Sequence, residues 1–513
     1  MRRPWPWLCV ALATLAAGCV SLPPLAGREA STAFTDTGAT TLGRALAPRL
    51  ARHPGKTGIH PLKLPADAFA ARALLAARAQ RSLDVQYYIW RGDETGMLLA
   101  EALWRAAERG VRVRLLLDDH GTTGLDPMLA ALDAHPSIEV RLYNPLMHRG
   151  LRALNFLTDF SRANRRMHNK SFIADNQAAI VGGRNVGDEY FGAGGGVVFE
   201  DLDVLAVGPA VRAASRAFDL YWNSASAYPA ASILEPAGSG ARALLEERFA
   251  AAHASPTATD YLKALRETPL VTQLVEGALP LEWTQAQLVC DDPAKTLAAG
   301  EQGELLLLPQ LLRLAGPAEK RFDLVSPYFV PGDEGTANLA ALARRGVQVR
   351  ILTNSLAASD VAAVHAGYAK RRAELLRAGV HLYELKPTAG AEKTKDKDAL
   401  GGSSSASLHA KTFAVDGERV FVGSFNFDPR SARLNTEMGL VIASPELAQR
   451  MATAFDTVVP QESWEVRLAG DGSLYWVERT PSGEKRYDSE PGVGLLKRLG
   501  VGILSLLPIE GLL

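Results

Sequence analysis

The chain has 513 residues, 47% hydrophobic and 22% charged, with 56 Lys and Arg against 56 Asp and Glu. That length gives room for two domains with their own cores, and the apolar content excludes a disordered chain. Balanced charge removes the global basic field by which most nucleic-acid binders find their partner, so no nucleic acid is expected.

Arg2 and Arg3, an apolar run from Trp5 to Ala17 and then Gly18-Cys19 have the order of a secretory signal peptide over residues 1–18. Ala16-Ala17-Gly18-Cys19 also resembles a bacterial lipobox, which makes Cys19 a lipidated N-terminus. About sixteen helical residues reach roughly 24 Å, short of a bilayer core, which argues against an uncleaved span. Cys9 then leaves with the signal and Cys19 carries lipid, so Cys290 is left without a disulfide partner. No Cys/His cluster has zinc spacing and no glycine loop has a nucleotide-binding pattern; neither metal nor cofactor is expected. Residues 19–65, rich in Pro, Gly, Thr and Ala, read as a tether.

Ala66 to Gln80 has helical spacing, Ser82 to Trp90 alternates as a strand, Thr95 to Arg109 is helical until Gly110, and Val111 to Leu117 is a strand. A βαβ unit of this kind predicts a parallel or mixed sheet. Asp118 and Asp119, like Asn354 further on, fall at strand ends, where open α/β sheets gather their sites or simply meet solvent. Tyr87, Tyr88 and Tyr328 stand on strands, at a cleft or in the core. Arg149, Arg152, Arg162, Arg165 and Arg166 form a basic run suited to anionic lipid phosphates. The run could equally be a solvated loop, but its nearness to the next segment favours the lipid. It leads into HNKSFIADNQAAIVGGRN, where His168 and Lys170 share one face of a strand, Asp175 opens a turn, and Gly182-Gly183 precede Asn185.

After a linker over residues 232–303, the order repeats. Phe322 to Val330 matches the first strand, and Arg345-Gly346-Val347-Gln348-Val349-Arg350 echoes Arg109-Gly110-Val111-Arg112-Val113-Arg114. Asp360 to Arg377 is a helix with His365 and Tyr368 on one face, and residues 389–407 form a loop before the second pattern. That pattern, HAKTFAVDGERVFVGSFN, carries His409, Lys411, Asp416 and Asn426 at the earlier spacing. Aligned on Gly208-Pro209 and Ser444-Pro445, Asp201 falls opposite Glu437. The chain is a duplication, with domains at 66–231 and 304–460 and an apolar C-terminal extension, 461–513, that either lies on a membrane surface or packs on the body.

His-x-Lys-x4-Asp, present twice, resembles the phospholipase D superfamily. Within it, NFLTDFSRANRRMHNK, GGRNVGDEYF, VHAGYAKRR and LHAK are most similar to bacterial cardiolipin synthases of the lipoprotein-like type. The resemblance implies an α/β fold of two phospholipase D-type domains, each a mixed, mostly parallel sheet flanked by helices, packed pseudo-symmetrically with the active site between them. It also implies a metal-independent phosphatidyltransferase that forms cardiolipin from phosphatidylglycerol and a second phospholipid. His168 is then the nucleophile and His409 the acid and base, Lys170 and Lys411 are the cations, and Asn185 and Asn426 hold the phosphate. Asp201 is expected to support His168, with Glu437 as its counterpart in the second half. Asp175 and Asp416 belong to the catalytic pattern, but their place at turns suits accepting backbone amides. Arg166, Tyr328, His365 and Tyr368 are candidate substrate contacts. The implied partners are anionic phospholipids and a membrane surface, with the enzyme a lipid-anchored protein of the cell envelope facing the periplasm. Hydrolysis of headgroups uses the same residues and stays open beside synthesis; a nuclease and a non-catalytic lipid-binding scaffold are the remaining alternatives.

Overall fold

The computed structural model describes residues 22–193, 198–255, 258–259, 261–263, 270, 273, 278–297, 303–359, 361–387, 406–506 and 510–513. The expected signal peptide, Cys19 and most of the 389–407 loop lie outside the described residues.

The first half supplies β1 (Thr57–Leu62), β2 (Ser82–Ile89), β3 (Arg112–Gly121), β4 (Ile138–Tyr143), β5 (Ser171–Ala174), β6 (Ala178–Gly182), β7 (Val198–Glu200), β8 (Asp203–Val207), β9 (Ala227–Pro229) and β10 (Glu282–Thr284). All except β7 form a nine-stranded sheet, ordered β10-β1-β8-β6-β5-β2-β3-β4-β9. The second half supplies β11 (Ala286–Cys290), β12 (Arg321–Val325), β13 (Gln348–Asn354), β14 (His381–Leu385), β15 (Ala406–Leu408), β16 (Thr412–Val415), β17 (Arg419–Gly423), β18 (Met438–Ile442), β19 (Ser463–Leu468), β20 (Leu474–Thr480) and β21 (Gly483–Tyr487). Here β15 stands apart, and the rest form a ten-stranded sheet ordered β11-β18-β17-β16-β12-β13-β14-β19-β20-β21.

Both sheets are mixed, but they are not mostly parallel. Within these two sheets parallel pairing is confined to β2-β3-β4 and β12-β13-β14, whose links are helical crossovers. The patterned hairpins β5-β6 and β16-β17 close by tight turns, and a tight turn can only join antiparallel neighbours.

The folded body also exceeds the expected domain limits. Within the supposed tether, β1 lies between β10 and β8; within the supposed linker, the chain passes from the first sheet to the second at Gln285. Beyond residue 460, β19, β20 and β21 extend the second sheet. Short strands in proline- and glycine-rich stretches carry too little periodicity to stand out.

Alternation along β2 explains its place. Leu83, Val85 and Tyr87 enter the outer core with the helices Pro65–Arg78 and Glu94–Glu108. Asp84, Gln86 and Tyr88 therefore face the opposite side of the sheet. Asp84 accepts from Arg114 at 2.6 Å, and Arg114 also donates to Asp219 at 2.7 Å. The second half repeats this, with Arg350 on Asp323 at 2.6 Å and on Asp456. Each buried arginine ties two parallel strands to the helix that follows the patterned hairpin, and removing one partner costs about 3–5 kcal/mol. Between the sheets, Met167, Ile173, Val181 and Val204 pack with Val420, Val422, Met438 and Leu440, one core shared by both halves.

Candidate active site

The two patterned segments reach the seam by pairing with the opposite half. Met167 bridges Thr436 in parallel, His168 N donates to Thr436 O at 2.8 Å, and Thr436 N returns to Arg166 O at 2.9 Å. In the matching place, β15 runs parallel to β7, and His409 N donates to Glu200 O at 2.8 Å. Each histidine is thus laid beside the residue preceding the other half's carboxylate. His168 Nδ1 lies 2.9 Å from Glu437 Oε2, and His409 Nδ1 lies 2.5 Å from Asp201 Oδ2. The expected pairing of Asp201 with His168 is therefore corrected: the carboxylates are exchanged between halves, because the backbone bridges are.

His168 Nδ1 is also 3.1 Å from Ser424 O, a carbonyl that can only accept. Nδ1 must carry the proton, and the Nε2 lone pair is left for chemistry. Tyr88 meets the His168 ring edge-on at 5.0 Å; Tyr190 and Phe199 flank His409 at 5.1 and 5.2 Å. Lys170 Nζ donates to His168 O, and Lys411 Nζ lies 3.2 Å from His409 Nε2.

The two carboxylates are held differently. A Cβ on Gly183 would collide with Asp201, so glycine leaves room for the short acid. Ser424 stands at the equivalent place opposite the longer Glu437 and donates to its Oε2, while Ser431 donates to Oε1 at 2.8 Å. Asp291 accepts from Glu437 N at 2.8 Å, and Lys295 ties Asp291 to Ser431 O. Burial alone would raise Asp201, but His409, Lys411 and Arg184 outweigh it and hold the carboxyl well below the usual range. Burial pushes Glu437 up to about 7 against the pull of Lys170.

Burial, with Lys170 and Lys411 adding, depresses the His168 imidazole well below its usual value; burial and Lys411 take His409 down to about 4. Burial likewise depresses Lys170, against the pull of Glu437. Two imidazoles with a lysine beside each line a site suited to an anion.

Asp118 and Asn354 occupy equivalent places in this frame. Asp118 accepts from Met167 N at 2.7 Å, and Asn354 makes two bonds to the backbone of Leu408, at 2.9 and 3.0 Å. Each holds the residue just before a histidine. Asn185 accepts from Ile89 N and donates to Tyr190 OH, while the buried Asn426 Oδ1 has no hydrogen-bond partner. Asp175 and Asp416 take left-handed turn positions, φ 52° and 54°. They accept not from their own turns but from backbone amides at Gln80, Arg81 and Ser82 and at Glu319, Lys320 and Arg321, where the chain enters β2 and β12.

Of the other expected contacts, His365, Tyr368, Tyr87 and Arg166 make theirs away from the histidines. His365 bonds Glu490 at 3.0 Å, and Tyr368 packs with Phe329 and Trp476 in the second half's own core. Tyr87 is also core, donating nothing to the site while its hydroxyl accepts from Arg72. Arg166 is buried against Asp118 and Asn144 O, in the frame behind His168. Tyr328 is half-buried after β12. The basic run is neutralised from within: Arg149 and Arg152 share Asp119 and Asp126, and Arg162 holds Asp159. Ser424, Ser431 and Asp291 escape sequence reasoning. Their one signal is the paired change from Gly183 and Asp201 to Ser424 and Glu437. Among the described residues, no group of three or more His, Cys, Asp or Glu could hold a metal ion.

The family described as "Cardiolipin synthase, PLD-like domain" matches residues 74–215 and 311–459. Cardiolipin synthase C of Escherichia coli (strain K12) is 50% identical over 474 residues, covering 92% of this chain and 99% of that one. A cardiolipin synthase of Staphylococcus aureus (strain Mu50) is 27% identical over 392 residues, 75% of this chain and 64% of its own. The crystal structure of a phosphatidylserine synthase from Haemophilus influenzae Rd KW20 shares the fold, with a TM-score of 0.56 at 15% identity over 92% of this chain and 100% of that one. With one match in each half and a relative aligned almost end to end, the chain belongs to the family of cardiolipin synthases with phospholipase D-like domains.

Proposed function

We propose that the chain is a phosphatidyltransferase that forms cardiolipin by joining the phosphatidyl group of one phospholipid to a hydroxyl of phosphatidylglycerol. His168 Nε2 attacks phosphorus, and His409, which takes a second proton on Nε2 once the anionic phosphate is bound beside it, donates that proton to the departing headgroup alcohol and is left neutral. The phosphatidyl-histidine then waits for the second lipid. Its hydroxyl loses a proton to His409 and attacks phosphorus, and His168 leaves as a neutral imidazole. Lys170, Lys411, Asn185 and Asn426 face the charge on the non-bridging oxygens. Asp201 and Glu437 stabilise the imidazolium states across the seam.

The observation that carries this reading is the pair of histidines, each held at Nδ1 by a carboxylate from the other half, with a lysine beside each. The enzyme acts at a membrane, anchored through lipid on Cys19, with its domains on the periplasmic side. Among the described residues no helix is long and apolar enough to cross a bilayer. The test is the product profile of purified protein in vesicles of phosphatidylglycerol, with and without phosphatidylethanolamine, in EDTA. Cardiolipin is expected. Phosphatidic acid as the main product assigns the site to hydrolysis, and a strict need for a divalent metal overturns the metal-free mechanism.

A further inference from the structure

We propose that residues 151–160 and the C-terminal helix Leu495–Ser505 form one bilayer-contact surface at the mouth of the site, with an anionic phospholipid membrane as its occupant. The proposal rests on the phosphatidyltransferase reading and names how its substrates reach His168.

Both segments turn leucines to solvent. Leu157 is 83% exposed, and Leu151, Leu154 and Phe160 stand out beside it. On the C-terminal helix Leu496 is 85% exposed, with Leu495, Leu499 and Ile503 also outside, and Leu506 follows at 83%. Val501 is the helix residue that is buried. Single exposed leucines need no explanation, but two clusters of them do.

The first cluster is joined to the reaction centre by rings. Phe156 meets His120 edge-on at 5.8 Å, His120 stacks on Tyr88 at 6.3 Å, and Tyr88 meets His168 at 5.0 Å. An acyl chain lying over this path keeps apolar surroundings from Leu157 inward.

Arg430 links the second cluster to the first. Its side chain donates to Asn164 O at 3.0 Å, at the end of the short helix Phe160–Ala163. Its backbone N donates to Leu513 O at 2.8 Å, in the tail that follows the C-terminal helix. One residue on, Ser431 bonds Glu437, the partner of His168. Lys497 and Arg498 are the charged residues of the C-terminal helix, which has no acidic residue. Leucines beside cations are the composition of a helix lying in an anionic interface.

Hydrogen exchange of the full chain, with and without vesicles of equimolar phosphatidylglycerol and phosphatidylcholine, reads each segment separately from any tether at Cys19. Exchange in both segments is expected to slow about tenfold with vesicles. Unchanged exchange overturns the proposal. Protection that needs no vesicles and grows with protein concentration assigns the surface to a second copy and also overturns it. In L154E/L157E, turnover of vesicle lipid is expected to fall about tenfold while a monomeric short-chain phosphatidylglycerol reacts as in the wild type; equal vesicle turnover overturns the proposal. If the wild type converts neither lipid, the functional reading fails, and the exchange result alone decides the surface.

Discussion

His168 of the first half is held by Glu437 of the second, Nδ1 to Oε2 at 2.9 Å, and this bond makes each half incomplete without the other. Glu437→Gln keeps the shape but removes the acceptor that stabilises an imidazolium. Turnover is expected to fall about 10²-fold or more with secondary structure unchanged, checked by steady-state assay and circular dichroism. Asp201→Asn is expected to act on His409 in the same way.

The two histidines should respond differently to the leaving group. A phosphodiester with a p-nitrophenolate leaving group needs little protonation, so His409→Ala is expected to lose only about 10-fold on it against about 10³-fold on lipid. His168→Ala is expected to abolish both, since no bond to phosphorus forms. Equal losses in His409→Ala on the two substrates would assign His409 a different role.

Glu437 also has a signature in stability. Its folded value is about 7 against an ordinary 4.5, so the native state holds the proton more tightly than the unfolded chain between those values. Protonated Glu437 therefore contributes stability that is present below about 4.5 and is lost as pH rises through 7. Glutamine has no charge to bury. The melting temperature of Glu437→Gln, relative to wild type, is expected to climb from pH 4.5 to 7.5, by an amount equivalent to at most about 3 kcal/mol. A flat difference across that range would contradict the raised value.

Gly183→Ala is expected to push Asp201 off His409, because the new methyl would occupy its carboxylate's place. Turnover should drop about 10²-fold, and Gly183→Ser should not rescue it, since Asp201 lacks the reach of Glu437. Ser424→Gly, by contrast, removes one donor to Glu437 and should be the milder change, at about 10-fold.

Asp175→Asn should destabilise rather than silence. The buried carboxylate gathers three backbone amides where the chain enters β2, and weakening them costs about 2–4 kcal/mol, a fall in melting temperature of roughly 5–10 °C. At low temperature the residual folded enzyme is expected to turn over normally. Asp416→Asn, at a more open turn, should cost less. Normal stability with lost turnover would return Asp175 to the chemistry.

Local and repeated features were legible in the chain itself. His168 with Lys170 and His409 with Lys411 share a face because strand geometry alternates side chains, and the left-handed turns at Asp175 and Asp416 follow from residue type. The echo of Arg114 in Arg350 identified the duplication, whose physical content is a buried ion cluster in each half. β1 was missed because its partners, β8 and β10, lie far along the chain, and the C-terminal strands, although they pair with their own neighbours, because they lie beyond the duplicated pattern. The basic run misled because its neutralising acids, Asp119 and Asp126, lie before it in sequence and around it in space.

The sequence by itself therefore determined the fold, the family pattern and the residues available for chemistry, since each is written in spacings short enough for local geometry to act on. Tertiary structure alone decided which carboxylate serves which histidine. That pairing depends on a parallel bridge between Met167 and Thr436 and its counterpart between β15 and β7. Such bridges join residues of different halves, and nothing in either half's own periodicity records where the other will land.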